Sequence, residues 1–176
     1  MKDRYVNPIL LGSPLRSLTG SRNRVMSRLS MFVQDGGRIL DLGSGPGYFI
    51  PFLKGKGALL VTDPNRRALE KIKRQESNLM IFQSSASFLP LRDQSVDFVF
   101  SNLTLCCLMD HEGAISELMR VLRKGGRAYI SVTRFKGRDP RGLSIEEWER
   151  ILSNFKVLKR GESLIERWAV VEVEGT

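Results

Sequence analysis

The 176-residue sequence predicts an α/β fold: a doubly wound, mostly parallel sheet with helices on both faces and an antiparallel closing strand. Apolar runs of strand character alternate with segments whose apolar residues recur at helical spacing. The first strong strand runs into alternating glycines, a pattern typical of a sharp strand-to-helix turn. The last two predicted strands follow a final helix as a hairpin-like pair. This alternation favours a parallel sheet that is covered on both faces.

The apolar periodicity predicts each element in chain order. Five apolar side chains at helical spacing predict a first helix from about 21 to 34: Val25, Met26, Leu29, Phe32 and Val33. Further helices are predicted near 46–54, 65–75, 111–123 and 144–152. Strands are predicted near 38–42, 58–62, 78–82, 96–101, 126–132, 154–159 and 164–173.

Capping residues support two of these helices. Pro64 suits the first turn of the third helix, and Asp63 or Asn65 can cap it. Asp110 can cap the fourth helix, and Gly125-Gly126 are expected to end it.

Composition indicates one globular domain spanning 1–176. Hydrophobic residues make up 41% and charged residues 27% of the chain, and no apolar run approaches the ~18 residues of a membrane span. The N-terminus lacks the pattern of a signal peptide. The two cysteines, Cys106 and Cys107, are adjacent and cannot build a disulfide framework. A cytoplasmic protein of unknown oligomeric state is therefore expected.

The net charge of +9 suggests an anionic partner, most plausibly RNA. Seven basic residues stand against two acidic ones in 1–38, and a second basic cluster occupies 134–141. The alternative is that basic surfaces also occur in thermostable proteins that bind no polyanion.

The most informative segment, 39–49, reads ILDLGSGPGYF. Its alternating glycines permit positive φ angles and close approach of a ligand to the backbone: Gly43, Gly45 and Gly47. A dinucleotide fingerprint requires a further glycine where this chain has Tyr48. Asp41, two residues before the first glycine, is a poor neighbour for a pyrophosphate and a good one for a cation.

These residues resemble the glycine motif of the class I S-adenosylmethionine-dependent methyltransferases, of the small single-domain type 11 or quinone-methyltransferase-like kind. The cofactor of that family carries an ammonium and a sulfonium group and no phosphate. The resemblance implies a Rossmann-like sheet of order 3-2-1-4-5-7-6. It also implies methyl transfer from S-adenosyl-L-methionine, with S-adenosyl-L-homocysteine as the product.

The resemblance extends to the second strand, which ends in Asp63. In the family such an acid accepts hydrogen bonds from both ribose hydroxyls of the cofactor, and the next residues, Pro64 and Asn65, would lie along the adenine. The alternative role for Asp63 is that of a helix cap only.

A third family segment begins at Ser85-Ala86 and continues through Leu89-Pro90-Leu91. The family has an acid that contacts the adenine where this chain has Ser85. The serine hydroxyl can still accept a hydrogen bond, and Ala86 can donate its backbone N–H, so a weaker or water-mediated contact is implied. The run from Glu117 to Gly126 resembles a structural segment of the family, which ends a helix and starts a strand.

Residues after the fourth predicted strand should line the ligand crevice, which in such sheets lies beyond the carboxyl ends of the strands. We expect Asn102 beside the cofactor and Cys106 near the acceptor. No residue is required as a general base; Asp110 and His111 are the remote candidates. Two adjacent cysteines do not suit a tetrahedral metal site, and none is predicted.

The cofactor site is thus predicted to comprise Asp41, Gly43, Ser44, Gly45, Gly47, Asp63, Pro64, Ser85, Ala86 and Asn102. The basic arm and helix of 1–36, together with the 133–142 loop, would cover the acceptor side. Three hypotheses remain at this point: a methyltransferase for a small molecule, a compact RNA methyltransferase that uses the basic arm, and a non-catalytic cofactor-binding partner protein.

Overall fold

The computed structural model describes residues 21–108, 110–134, 143–163 and 166–174. Seven strands are found in these ranges: β1 Gly37–Leu42, β2 Gly57–Thr62, β3 Met80–Phe82, β4 Val96–Asn102, β5 Leu122–Thr133, β6 Lys156–Glu162 and β7 Glu166–Glu172. They form one sheet in the order β3-β2-β1-β4-β5-β7-β6. Strands β1 to β5 are parallel, and β7 runs antiparallel to both of its neighbours. The predicted strand order and antiparallel closing strand are confirmed.

Helices cover both faces of the sheet. The described α-helices are α1 Ser21–Ser30, α2 Ile50–Leu53, α3 Arg66–Gln75, α4 His111–Val121 and α5 Ile145–Leu152, with a 3-10 turn at Leu105–Cys107. Leu29, Leu53 and Ile72 bring α1, α2 and α3 onto one face. Leu118 and Trp148 bring α4 and α5 onto the other. Alternate residues of each strand enter the two cores, which is why the central strands are apolar on both faces.

The second helix is shorter than the predicted 46–54, since only Ile50–Leu53 are α-helical. Gly45 and Gly47 have φ angles of +53° and +83°, outside the right-handed helical region. The chain therefore leaves β1 through a left-handed glycine loop and becomes helical only after it.

The fourth helix ends at Val121, two residues earlier than predicted. Leu122 is extended and pairs with Val96, so β5 begins at once. Gly125, with φ of +70°, does not end the helix: it lies within β5, where its N–H donates to the carbonyl of Val173. Pairing with β4 thus decides this boundary before the glycines are reached.

Capping residues fix the starts of α3 and α4. The Asn65 side chain accepts from the N–H groups of Arg67 and Ala68, so Pro64 precedes the cap and does not lie in the first turn as predicted. Asp110 caps α4 by accepting from Gly113 N, as predicted.

The predicted basic arm before residue 21 and positions 135–142 of the 133–142 loop lie outside the described residues. Among the helices that the structure describes, none is long and apolar enough to cross a membrane.

Candidate cofactor site at the carboxyl edge of the sheet

The glycine loop after β1 is fastened to the end of β2. The N–H groups of Gly43 and Ser44 donate to the Thr62 carbonyl at 2.9 and 3.1 Å. A Cβ on Gly47 would meet Ile50 and Ile72, so this glycine is required by packing. A Cβ on Gly45 would meet no described atom within 4 Å, so the backbone there faces open space. The loop therefore leaves open space beside the Cα of Gly45.

Thr104 locks the glycine loop to the segment that follows β4. Its hydroxyl donates to the Leu42 carbonyl at 3.0 Å. Its side chain fills the position that a Cβ on Gly43 would occupy, and Gly43 itself has φ of +72°. The absence of a side chain at Gly43 thus allows the two loops to meet.

Asp63 at the end of β2 is buried and points toward the glycine loop. One carboxylate oxygen accepts from Gly45 N at 2.8 Å, and the other accepts from Asn65 N at 2.8 Å. Burial raises the pKa of Asp63, and these two hydrogen bonds oppose the shift. Asn65 is the cap of α3, so the alternative in which Asp63 serves only as that cap does not hold.

Asp41, at the end of β1, is only 3% exposed. Burial, with a further contribution from Asp63, raises the pKa of Asp41 from 3.8 to about 8. Two carboxyl groups held together in a desolvated site favour a cation between or beside them. Such a site can bind an ammonium group and also accept hydrogen bonds from hydroxyl groups.

Ser44 contributes a hydroxyl group whose oxygen is buried and has no hydrogen-bond partner among the described residues. Buried polar groups without partners are rare in folded proteins, so this hydroxyl is available to a ligand. The hydroxyl stands next to Gly45, where the backbone is open.

The ends of β2 and β3 are tied together beside Asp63. The hydroxyls of Thr62 and Ser84 lie 2.9 Å apart, and the side-chain amide of Gln83 donates to the carbonyl of Pro64 at 2.8 Å. These contacts bring the Pro64 turn to the segment that contains Ser85.

Glu117 and Arg120 of α4 hold the chain that follows Ser85 and Ala86. Leu89 N donates to the Glu117 carboxylate, while the Arg120 guanidinium donates to the Leu89 carbonyl at 2.9 Å. The Arg120 hydrogen bond lowers the pKa of Glu117, and burial opposes it. Ala86 is buried, and the Ser85 hydroxyl lies 3.5 Å from that of a neighbouring serine. The family-like segment of α4 therefore positions this loop.

Asn102 at the end of β4 is oriented by Ser131 of β5. The buried Ser131 hydroxyl donates to Asn102 Oδ1 and accepts from Leu103 N, both at 3.0 Å. Leu103 has a φ of +58°, a conformation that is strained for a leucine. Because the strained conformation of Leu103 is retained, the hydrogen bonds with Ser131 must fix the path of the backbone after β4.

The residues considered as remote bases contact backbone groups. His111 Nε2 lies 3.0 Å from the Leu105 carbonyl, and Asp110 caps α4. Cys106 is buried, and its thiol contacts the Leu103 carbonyl at 3.4 Å. Within the described ranges, no group of three or more His, Cys, Asp or Glu residues could hold a metal ion.

A second polar cluster joins α1 to the same edge of the sheet. Arg28 forms a 2.7 Å ion pair with Glu166, donates to the Tyr129 hydroxyl at 3.3 Å and lies 4.4 Å from the ring centre of Trp168. Glu166 pairs with Thr133 at the carboxyl end of β5. This contact attaches the helix that follows the basic arm to the carboxyl edge.

Residues 40–130 match the sequence model of methyltransferase family 11, which is described as a methyltransferase domain. The match spans β1 to β5 and includes the glycine loop, Asp63 and Asn102. The chain belongs to this family. The resemblance to class I S-adenosylmethionine-dependent methyltransferases is thereby confirmed.

Two curated members of the wider group illustrate the similarity. A malonyl-[acyl-carrier protein] O-methyltransferase from Methylococcus capsulatus is 36% identical over 100 residues, covering 53% of this chain and 36% of that protein. A ubiquinone/menaquinone biosynthesis C-methyltransferase, UbiE, from Xanthomonas oryzae pv. oryzae is 32% identical over 108 residues, covering 56% of this chain and 43% of that protein. The chain spans less than half the length of these two relatives.

A solved structure supports the fold. The crystal structure of a SAM dependent methyltransferase from Aquifex aeolicus superimposes with a TM-score of 0.77 at 22% identity, covering 93% of this chain and 95% of that one. The likeness concerns the architecture, the Rossmann-like arrangement of seven strands.

The methyltransferase sheet brings most of the predicted residues to one edge. Hydrogen bonds link the glycine loop, Asp63 and the Pro64 turn directly. Asn102 is hydrogen-bonded instead to Ser131 of β5, and Ala86 is buried in the apolar core. Sequence reasoning missed Thr104 and Ser131. A serine within the otherwise apolar Ala128–Val132 run is a signal that could have indicated the second.

Proposed function

We propose that the chain binds S-adenosyl-L-methionine at the carboxyl edge of the sheet and transfers its methyl group to a small-molecule acceptor. The observation that carries the proposal is the pair of buried carboxyl groups, Asp41 and Asp63, beside open backbone at Gly45. A cofactor with a cationic end, vicinal hydroxyls and no phosphate fits this set of groups. A pyrophosphate beside two acids does not.

The proposed binding roles follow the positions of the side chains. Asp41 balances the cationic amino-acid end, and Asp63 accepts from the ribose hydroxyls. The Ser44 hydroxyl and the open backbone of the glycine loop contact the same half of the cofactor. Ser85 and Ala86, supported by α4, flank the adenine, which the Pro64 turn covers; Asn102 faces the methyl donor.

Chemistry at this site requires alignment more than acid–base groups. The cofactor supplies a methyl group on a sulfonium, an electrophile that an aligned nucleophile displaces in line. The chain's part is to hold the donor rigidly and exclude water, which can contribute roughly 7–11 kcal/mol. Thr104 and Ser131 support this rigidity, since they fix the loops after β1 and β4. We infer that α1, which the Arg28–Glu166 pair attaches to this edge, lies on the acceptor side.

Small-molecule acceptors are favoured by the names of the relatives, which act on a malonyl thioester and in quinone synthesis. A tritium-transfer assay with malonyl thioesters, quinone precursors and RNA in separate reactions tests the acceptor class. Label in RNA alone would replace this proposal with an RNA methyltransferase. Cofactor binding without transfer to any pool would favour a non-catalytic role.

The cofactor half is tested by thermal unfolding with S-adenosyl-L-homocysteine. A ligand that binds only the native state raises the melting temperature, by an amount that grows with ligand concentration. We expect a clear rise for the unmodified chain and its loss in Asp63→Ala. Asp35→Ala removes an exposed acid that pairs with Lys56 and should keep the full rise, so it controls for net charge.

No rise in the unmodified chain at millimolar ligand would contradict the proposed cofactor. An equal rise in Asp63→Ala would remove Asp63 from the binding site while leaving the cofactor assignment intact.

A further inference from the structure

Helix α3 carries five basic residues and one acidic residue within ten positions: Arg66, Arg67, Lys71, Lys73, Arg74 and Glu70. All six side chains are exposed. Arg66 pairs with Glu70 at 2.9 Å. The other four cations make no ion pair with any residue in the described part of the chain.

The helix presents these charges as an ordered surface. Leu69 and Ile72 are buried against the sheet, which turns the charged side outward. Arg67, Lys71 and Arg74 stand at i, i+4 and i+7 and therefore form one stripe about 10 Å long. We call this stripe the α3 basic face.

The first turn of the helix carries charges that oppose its stability. It contains no acid and begins with two arginines, although a helix N-terminus favours negative charge. Arg67 and Lys71 are like charges at i, i+4, which repel each other. The cations of the last turn, Lys73 and Arg74, favour the helix, so Arg67 and Lys71 are the positions that helix stability does not explain.

Charge is also segregated between the two faces of the sheet. Helix α5, which covers the opposite face, has three acids and one base: Glu146, Glu147, Glu149 and Arg150. The basic surface of a thermostable protein would carry many ion pairs, whereas the cations of the α3 basic face form none with the residues that the structure describes. The asymmetry points instead to an oriented contact with a polyanion.

We propose that the α3 basic face is a docking surface for the phosphate backbone of a nucleic acid. Evenly spaced Arg and Lys side chains along one helix are the electrostatic footprint of such a partner. A membrane-surface helix would turn apolar residues to the lipid, yet the large apolar residues of α3 are buried in the protein core. The proposal does not depend on the methyl-transfer function.

The test measures the binding of labelled polyuridine RNA and of labelled oligothymidine DNA by fluorescence anisotropy across a series of salt concentrations. The test variant is Arg67→Gln/Lys71→Gln/Arg74→Gln. The matched control, Arg92→Gln/Arg150→Gln/Lys159→Gln, removes the same charge from exposed positions on other elements.

We expect the α3 variant to bind about 100-fold more weakly near 0.1 M salt, since each lost contact to a single strand removes about 0.7 from the salt slope. The control should change only a few-fold. The α3 variant should melt close to the unmodified chain, because relief of the Arg67–Lys71 repulsion offsets the loss of Arg74 from the last turn. Comparison of RNA with DNA identifies which backbone is preferred.

Equal weakening in both triple variants would show a net-charge effect and overturn the proposal. Undetectable binding of both oligonucleotides by the unmodified chain would overturn it as well. Tighter binding to anionic phospholipid vesicles or to polyglutamate than to either oligonucleotide would assign the surface to a different partner and would also overturn it.

Discussion

The surroundings of Asp41 oppose its ionisation and favour the protonated, neutral carboxyl group. Its pKa of about 8 lies far above the ordinary 3.8, first because of burial and then because of Asp63. The folded state therefore binds a proton on this group that the unfolded state releases at lower pH. The contribution of Asp41 to the free energy of unfolding falls as pH rises from about 4 to about 8 and is level above that range.

Replacing Asp41 with Asn should remove this pH-dependent penalty. Without ligand, Asp41→Asn should gain stability relative to the unmodified chain as pH rises from 4 to 8, because the neutral amide is never ionised. Urea unfolding at a series of pH values measures the difference. A constant stability difference across that range would contradict the raised pKa.

The same substitution should abolish a pH dependence of ligand binding. If Asp41 must be ionised to balance the ligand's ammonium, affinity for S-adenosyl-L-homocysteine rises by up to tenfold per unit between about pH 6 and pH 7.5. Asp41→Asn should bind weakly with little change over this interval, as measured by calorimetry.

Two glycines of the same loop should respond differently to alanine. Gly43→Ala places a Cβ at a positive φ and against the hydrogen-bonded Thr104, so we expect a loss of roughly 2–6 kcal/mol of stability. The methyl group of Gly45→Ala meets open space, so only the conformational cost of about 1–2 kcal/mol applies. It would occupy the side of the loop on which we propose that the ligand binds.

Urea unfolding measures the loss of stability, and the thermal shift with S-adenosyl-L-homocysteine measures the loss of ligand binding. Gly43→Ala should lose more stability than Gly45→Ala. Gly45→Ala should remain folded but lose ligand binding. Equal stability of the two variants would exclude Thr104 packing as the reason for glycine at position 43.

Much of the cofactor site could be predicted at the residue level because the relevant residues lie close together in sequence. The acid and glycines of the β1 loop carry their spacing within a few positions, and Asp63 follows directly from its strand end. Thr104 and Ser131 could not be predicted in this way. Their roles arise from contacts with Leu42 and Asn102 across neighbouring strands, and no local pattern encodes those contacts.

At the scale of elements, a largely buried ion pair joins α1 to β7, in addition to the apolar packing of α1. The side chains of Arg28 and Glu166 are only 15% and 7% exposed, so both charges are largely removed from water and rely on each other. Arg28→Met should keep contact with Trp168 but leave Glu166 buried without its partner, at a cost of about 3–5 kcal/mol.

The double variant Arg28→Met/Glu166→Leu should regain most of that loss, since an apolar pair of similar volume avoids the uncompensated charge. Lys54→Ala, which breaks a more exposed pair with Glu76, should cost about 1 kcal/mol or less. Urea unfolding measures all three. A single Arg28→Met variant as stable as the unmodified chain would contradict the role of the pair.

Element boundaries were less predictable than element types. Gly45 and Gly47 delay α2, because the left-handed backbone of the loop cannot continue into a helix. Leu122 ends α4 by joining β4, although the glycines that normally stop a helix come later in the sequence. The first boundary is thus set by local backbone conformation, and the second by a contact outside the helix.

At the scale of the molecule, alternation of strand and helix was sufficient to predict a covered parallel sheet, and the family resemblance supplied its order. The segregation of charge was not predicted. The basic residues of α3 are dispersed among apolar ones in the sequence, and only the burial of Leu69 and Ile72 shows that the charges share an outer face.

The position of β7 has a consequence for how the chain folds as it is synthesised. β7 follows β6 in sequence, yet it lies between β5 and β6 in the sheet. Until it emerges from the ribosome, the outer edge of β5 is bare and β6 has no partner. Completion of this edge is then a late, long-range event, in which Glu166 reaches back to Arg28 near the start of the described chain. The nascent protein therefore presents the open edge of β5 to other chains until β7 has been synthesised and closes it.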